Sequence, residues 1–152
     1  MTTEPDMPDA RTALLDRVDR SFDDLRAIVD SLDDERLSAP GPEGWSVKDH
    51  LAHLVRWDDY LLAVLDGRDG RAELGLAAGE ERDTDDINGA LHQADAAEPA
   101  AEVRRRLVET HGRLTARLRA VDDALLQRRI RVIEGNTHHH YAEHAGWIRS
   151  LV

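Results

Sequence analysis

The sequence predicts an all-α protein, a four-helix bundle made of two similar helix pairs joined by a long crossover. Two long segments carry apolar residues at steps of three and four, the spacing of one face of an α-helix. The two stripes also correspond to each other at a constant offset. A length of 152 residues fits one domain, so we expect a single domain over residues 1–152, with residues 1–7 as a flexible tail.

The first helix is predicted from a stripe that begins shortly after Pro8, a residue favoured at helix starts. The stripe consists of Leu14, Val18, Phe22, Leu25, Val29 and Leu32. Such a stripe extends over about six turns of helix. Residues 38–44 follow with two prolines and two glycines, a composition that predicts a loop.

The second helix is predicted to begin with a capping box. Ser46 is followed three residues later by Asp49, so each side chain can bond the backbone N–H of the other. The helix extends to about Leu65. Its inward face is formed by Val47, Leu51, Leu54, Leu61 and Leu65.

The second half of the chain is predicted to form another helix pair. Residues 67–83 are rich in glycine, alanine and charge and indicate a crossover, with a short helix over residues 84–92. Pro99 opens the third helix, and Gly135 and Asn136 precede a last helix over about residues 137–150. The third stripe consists of Val103, Leu107, His111, Leu114, Leu118 and Val121.

The third stripe repeats the first with an offset of 89 residues, so that Leu14 corresponds to Val103. With two extra residues in the second loop, Gly44 corresponds to Gly135 and His53 to His144. Two similar halves indicate a bundle with pseudo-twofold symmetry.

Composition excludes several functional classes. A formal net charge of −11 argues against nucleic acid and anionic membrane surfaces as partners, because both need a basic face. The absence of cysteine excludes disulfides, thiol nucleophiles and thiolate metal sites. Residues 1–10 are acidic and lack the basic segment followed by an apolar run that is typical of a signal peptide. No run of about 20 apolar residues, the length of a transmembrane helix, occurs. We therefore expect a cytoplasmic protein.

Three histidines form the strongest candidate site. His140 and His144 are four residues apart and project from one helix face, where both rings can bind one ion. By the internal repeat, His53 occupies on the second helix the place that His144 occupies on the fourth. Three neutral imidazoles with an open position are the ligand set of a catalytic metal site.

Further residues are candidates for the same site. Asp49 lies one turn before His53 and is either an additional ligand or only the acidic member of the capping box. Trp57, one turn after His53, is a candidate wall of a substrate pocket. His111 interrupts an apolar stripe and is either a histidine of the core or a residue that lines the same cavity. Tyr141 is a further candidate for substrate binding.

The remaining histidines of the two helices, His50, His138 and His139, are expected to project elsewhere and to be exposed. Residues 140–144 also match the H-x-x-E-H pattern of some zinc proteases, in which Glu143 is the general base. A small acidic bundle without an evident protein-binding cleft argues against that interpretation.

At these residues the chain resembles a known group of proteins. Residues 44–54, GWSVKDHLAHL, resemble the helix-two signature of the DinB/YfiT-like superfamily. Residues 135–148, GNTHHHYAEHAGWI, resemble the helix-four signature of its ClbS/DfsB branch, and residues 83–90 also fit that branch. The resemblance covers most of the chain. It implies a four-helix bundle, often dimeric.

The resemblance also implies a metal site and an activity. In metal-binding members the three ligands correspond to His53, His140 and His144. The superfamily includes thiol-dependent transferases and isomerases, and the ClbS-like branch includes self-resistance proteins that hydrolyse a reactive cyclopropane in a genotoxic metabolite. The chain departs at His138 and His139, where a tyrosine and an acidic residue are more usual, and this leaves the metal and its coordination number open.

The leading hypothesis is an enzyme that hydrolyses or detoxifies a reactive electrophilic metabolite at this three-histidine site. Water is activated there either by a metal, with zinc or nickel as the first choices, or by one of the imidazoles as base. A second hypothesis is a metal-dependent thiol S-transferase of the mycothiol or bacillithiol type. The arginine-rich composition, with Lys48 as the only lysine, is typical of GC-rich actinobacterial genomes and favours mycothiol as its thiol. Two functions without catalysis stay open as well, a protein that sequesters a ligand and a purely structural homodimer.

Overall fold

The structure is a computed structural model that describes residues 9–152, and within this range it is all-α without β-strands. The tail expected at residues 1–7 lies outside the described residues. The helices are α1 (Ala10–Val29), α2 (Asp34–Ser38), α3 (Val47–Leu65), α4 (Thr84–Asp95), α5 (Ala100–Ala120), α6 (Asp123–Arg128), α7 (Ile130–Asn136) and α8 (His138–Leu151). The predicted fold class is confirmed.

The four long helices α1, α3, α5 and α8 form the bundle. The most extensive packing joins α1 to α8 and α3 to α5. The internal repeat relates α1 to α5 and α3 to α8, so it exchanges these two interfaces, as a pseudo-twofold axis requires. Every apolar residue of the three predicted stripes lies in one continuous core, where burial supplies the main stabilisation.

Aspartates cap several helices, and two of these caps correspond to each other in the repeat. Asp9 caps α1, since its Oδ1 accepts a bond of 2.7 Å from the backbone N–H of Thr12. Asp33 and Asp122, which are 89 residues apart, cap the short helices α2 and α6 in the same way. These two helices were not predicted as separate elements, but their matching caps support the repeat.

The predicted capping box of α3 is confirmed. The Ser46 Oγ accepts from the Asp49 backbone N–H at 3.1 Å, and the Asp49 Oδ2 accepts from the Ser46 backbone N–H at 2.9 Å. This cap fixes the first turn of the helix that carries His50 and His53.

We predict that Ser46→Ala lowers the free energy of unfolding by about 1–2 kcal/mol, because it leaves a helix donor without its acceptor at a buried position. Urea unfolding monitored by circular dichroism measures the change. Ser31→Ala, at an exposed position outside the helices, is the matched control and should change stability by less than about 0.5 kcal/mol. Equal effects of the two substitutions would contradict the capping role.

Gly135 and Asn136 precede the last helix, α8, as predicted, but they do not form a loop. Both residues belong to α7, which the buried Ile133 anchors to the core. The break falls instead at Thr137, with φ −112° and ψ −106°, where the buried hydroxyl donates to the Ile133 carbonyl at 2.6 Å. Gly44, the counterpart of Gly135 in the repeat, has φ +87° and lies in the turn before α3, not in a helix. The two halves of the chain therefore differ in structure at this position.

The crossover forms the wall of the bundle beside α3. It contains a 3-10 helix over Gly70–Leu74 and then α4, which extends three residues beyond the predicted 84–92. Four buried side chains of this region pack against Trp57 and Tyr60 on α3. The Asp95 carboxylate also binds the Arg56 guanidinium through two contacts of 2.6 and 3.0 Å. The crossover is thereby held against α3.

Candidate metal centre

The three predicted histidines come together between α3 and α8. One nitrogen from each of His53, His140 and His144 lies within 4.8 Å of the others, an arrangement that can hold a metal ion. The His53 Nε2 and His140 Nε2 atoms are 3.2 Å apart. Two nitrogens at ~2.0–2.1 Å from one tetrahedral ion would be about 3.3 Å apart, so the observed separation fits a shared ligand position.

The second nitrogens of two of these rings are buried and, within the described part of the chain, without a partner. Among the described residues, the buried Nδ1 atoms of His53 and His140 have no hydrogen-bond partner. Buried polar atoms are normally bonded, and an orphan requires an explanation. The feature that favours a shared ion is the approach of the two Nε2 atoms, and not the two orphan Nδ1 atoms.

The expectation that His50 is exposed is wrong. Its side chain is buried, and its Nδ1 lies 2.9 Å from the Nδ1 of His144. His50 precedes His53 by three residues, so both rings project from the face of α3 that meets α8. The contact needs one donor and one acceptor, and it leaves the Nε2 of His144 available to a metal. Of the two histidines that begin α8, His139 is exposed and His138 is only half-buried.

The four clustered imidazoles are all neutral at neutral pH. Burial, and then repulsion from His140 and His50, lowers the pKa of His53 to about 3. Burial lowers the pKa of His140 to about 4. Burial first, and then the neighbouring imidazoles, lowers the pKa of His144, and burial lowers that of His50. Neutral rings are the form that binds metal or accepts a proton.

The histidines form the floor of an open cavity of about 820 Å³ between α3, α8 and the crossover. This volume is within the range of sites for drug-sized molecules. Its lining also contains Trp45, Trp57 and Trp147, so three indole rings contribute to the walls. The acidic residues Glu43 and Glu143 lie in the lining as well, and both are exposed.

Each tryptophan is held by a specific contact. The Trp45 ring stacks on His92 at a centroid distance of 4.5 Å and an angle of 6°. The Trp57 Nε1–H donates to the Asn88 Oδ1 at 3.1 Å. Trp147 is half exposed, and its ring meets His144 edge-on at 4.8 Å. These contacts orient aromatic faces around the imidazoles.

Three residues predicted for substrate binding lie outside the lining of this cavity. Asp49 is occupied by its capping bond and by a contact of 3.1 Å with His92 Nε2. His111 and Tyr141 are buried in the core, where the Tyr141 hydroxyl lies 3.2 Å from the His111 Nδ1. His111 also stacks on Phe22, with ring centroids 3.5 Å apart. Their roles in substrate binding stay predictions.

A buried acid beside this pair was not predicted from the sequence. Asp58 is fully buried, and its Oδ2 accepts a hydrogen bond of 2.8 Å from the Tyr141 hydroxyl. Burial raises the pKa of Asp58 well above its ordinary value, despite this bond. The signal was present in the sequence, because Asp58 continues the inward stripe of Leu54 and Leu61 at steps of four and three.

Comparisons with known proteins agree with this architecture. Searches of curated proteins and of solved structures found no match to this chain. None of the helices in the described part of the chain is both long and apolar enough to cross a membrane. A protein-family model, that of the DinB superfamily, matches residues 3–148, nearly the whole sequence. The chain therefore belongs to the DinB superfamily.

Proposed function

We propose that this chain is an enzyme of the ClbS/DfsB type that hydrolyses a small reactive electrophile in the cavity between α3 and α8. The observation that carries the proposal is the cluster of four neutral imidazoles, three buried and that of His140 half-buried, at the floor of an aromatic cavity of about 820 Å³. A pocket with apolar walls and a few convergent polar groups is the expected form of such a site.

The residues proposed to hold a metal and to act in catalysis are His53, His140 and His144. Their donor set of three imidazoles suits zinc or nickel. A divalent ion bound there would supply a Lewis acid and lower the pKa of water. The separation of 3.2 Å between the His53 and His140 Nε2 atoms fits this use.

His50 is proposed to orient His144. Because the two Nδ1 atoms are 2.9 Å apart, one ring donates and the other accepts, and this fixes the tautomer of His144. A His144 ring protonated at Nδ1 directs a free Nε2 lone pair away from His50 and toward the cluster.

The proposed reaction adds one water molecule to a strained ring. The water oxygen forms a bond to a ring carbon while a ring bond breaks. One proton of the water passes to a neutral imidazole of the cluster, and the electron pair of the broken bond is protonated in turn. In a metal-free site the neutral rings of His53 and His140 have a lone pair for this proton, whereas with a metal bound those lone pairs would hold the ion and the proton would pass to solvent.

The aromatic walls are proposed to bind the apolar body of the substrate. Trp57 and Trp147 provide faces on two sides of the histidines, and Asn88, whose Oδ1 accepts from Trp57, leaves its amide N–H groups for a polar substrate atom. Large aromatic side chains can bind a flat ligand at low entropic cost.

We predict that zinc- or nickel-loaded protein opens an activated cyclopropane or epoxide without added thiol, adding the mass of one water. Mass spectrometry of the product measures this. Glu109→Gln, at an exposed position of α5 outside the cavity lining, is the control and should retain the rate. Turnover only with mycothiol, giving the thiol adduct, would instead indicate the S-transferase. Tryptophan quenching with unchanged ligand mass would indicate a binding protein.

The predicted homodimer also belongs to this proposal, together with a cytoplasmic location and a single domain. The exposed Trp147 at the cavity edge is available for a contact with a second copy. Light scattering of the purified full chain measures the mass directly, and a monomeric mass at every concentration would remove the dimer from the proposal.

A further inference from the structure

We propose a second metal site, outside the cavity, formed by Glu134, His138 and His139 at the junction of α7 and α8. One ligand atom from each residue lies within 4.8 Å of the others. A carboxylate with two imidazoles suits divalent transition ions such as Zn²⁺ or Ni²⁺ rather than Mg²⁺ or Ca²⁺, which prefer oxygen ligands alone.

The site is separate from the inner cluster, although His140 follows directly in the sequence. Successive residues of a helix point about 100° apart, so three consecutive histidines cannot face one ion together. His140 turns inward to His53, whereas His138 and His139 are absent from the cavity lining. Their own rings lie close together, with centroids 4.3 Å apart.

An unpartnered nitrogen provides independent support for this site. The Nε2 of His138 is shielded from solvent and has no hydrogen-bond partner among the described residues. Glu134 supplies the negative charge that a cation needs near two neutral rings. Its present partner is Arg17, whose Nη2 lies 3.9 Å away on a half-exposed side chain. An ion pair of this length and exposure is weak, so a metal can displace it.

A bound metal would link α7 to α8 across the break between them at Thr137. Glu134 belongs to α7 and both histidines to the first turn of α8, on either side of Thr137. The first turn of α8 has no side-chain cap. A bound ion would clamp this junction from the outside.

The test is zinc and nickel titration of the full, untagged, chelator-treated chain by calorimetry, in a His144→Ala background that removes the inner site. We expect this variant still to bind one equivalent of metal per chain. Glu134→Gln and His139→Ala should each weaken this binding by at least the ~10–100-fold that outer-shell partners cost. Arg17→Gln should tighten it, because it frees Glu134, and Glu35→Gln, at an exposed position of α2, should leave it unchanged.

Two results would overturn the second site. The first is no binding in the His144→Ala background when the unsubstituted chain binds one equivalent, an outcome that leaves the proposed function intact. The second is residual binding that Glu134→Gln does not weaken. If His144→Ala fails to fold, the unsubstituted chain provides the same test, because Glu134→Gln should lower two equivalents to one. A single equivalent that depends on Glu134 supports this site and contradicts the proposed inner one.

Discussion

His144→Ala is expected to abolish metal binding at the inner cluster and to lower electrophile hydrolysis by at least about a hundredfold, since loss of an outer-shell partner alone typically costs ~10–100-fold. His144 contacts both other proposed ligands, with ring centroids 4.7 Å from His53 and 4.6 Å from His140. Its removal leaves two imidazoles, too few for a tightly held ion with an open position.

The rank order of neighbouring variants makes this prediction specific. His50→Ala removes the orienting contact of 2.9 Å but no proposed ligand, so it should lower activity less than His144→Ala does. His144→Asn keeps a polar side chain and tests whether lost packing explains the effect. Circular dichroism confirms folding of each variant. Full metal content and activity in folded His144→Ala would contradict the proposed site.

Asp58→Asn is expected to stabilise the protein increasingly as pH rises. Burial raises the pKa of Asp58 well above its ordinary value, so the folded state keeps this carboxyl protonated while the unfolded state ionises. Below about pH 4 the carboxyl is protonated in both states, so the raised pKa does not lower the free energy of unfolding. Above that pH the free energy of unfolding of the unsubstituted chain falls by up to about 1.4 kcal/mol per pH unit, until the carboxyl of the folded state ionises. Asparagine does not ionise and can still accept from Tyr141.

Urea unfolding of both chains at pH 4, 5, 6 and 7 measures the difference in free energy of unfolding. The difference should be small at pH 4 and should increase with each step. Asp24→Asn, an exposed position of α1, controls for the loss of one carboxylate from an acidic protein. A difference that is constant with pH would contradict a protonated, buried Asp58.

Much of the fold could be predicted because it depends on local patterns. The steps of three and four define α1 and α5, and the Ser46 and Asp49 pair defines the start of α3. The inner histidines could be paired because the repeat places His53 opposite His144. Regular spacing on a helix carries this information without knowledge of long-range contacts.

The errors arose where packing between distant segments decides the outcome. His50 is buried because α8 covers the face of α3 that it shares with His53, and the spacing of three residues between them could have indicated this burial. Gly135 remains helical because Ile133 anchors α7 in the core, despite the low helix propensity of glycine. The length of α4 is set by packing on Trp57 and by the bond from Arg56 to Asp95.

The most direct test of the inner site is anomalous diffraction from crystals of the full chain soaked in zinc. We expect a zinc peak bonded to nitrogens of His53, His140 and His144 at ~2.0–2.1 Å, with His50 in contact with His144 behind it. A map with zinc only at Glu134, His138 and His139, or with no zinc at either cluster, would contradict the proposed metal centre.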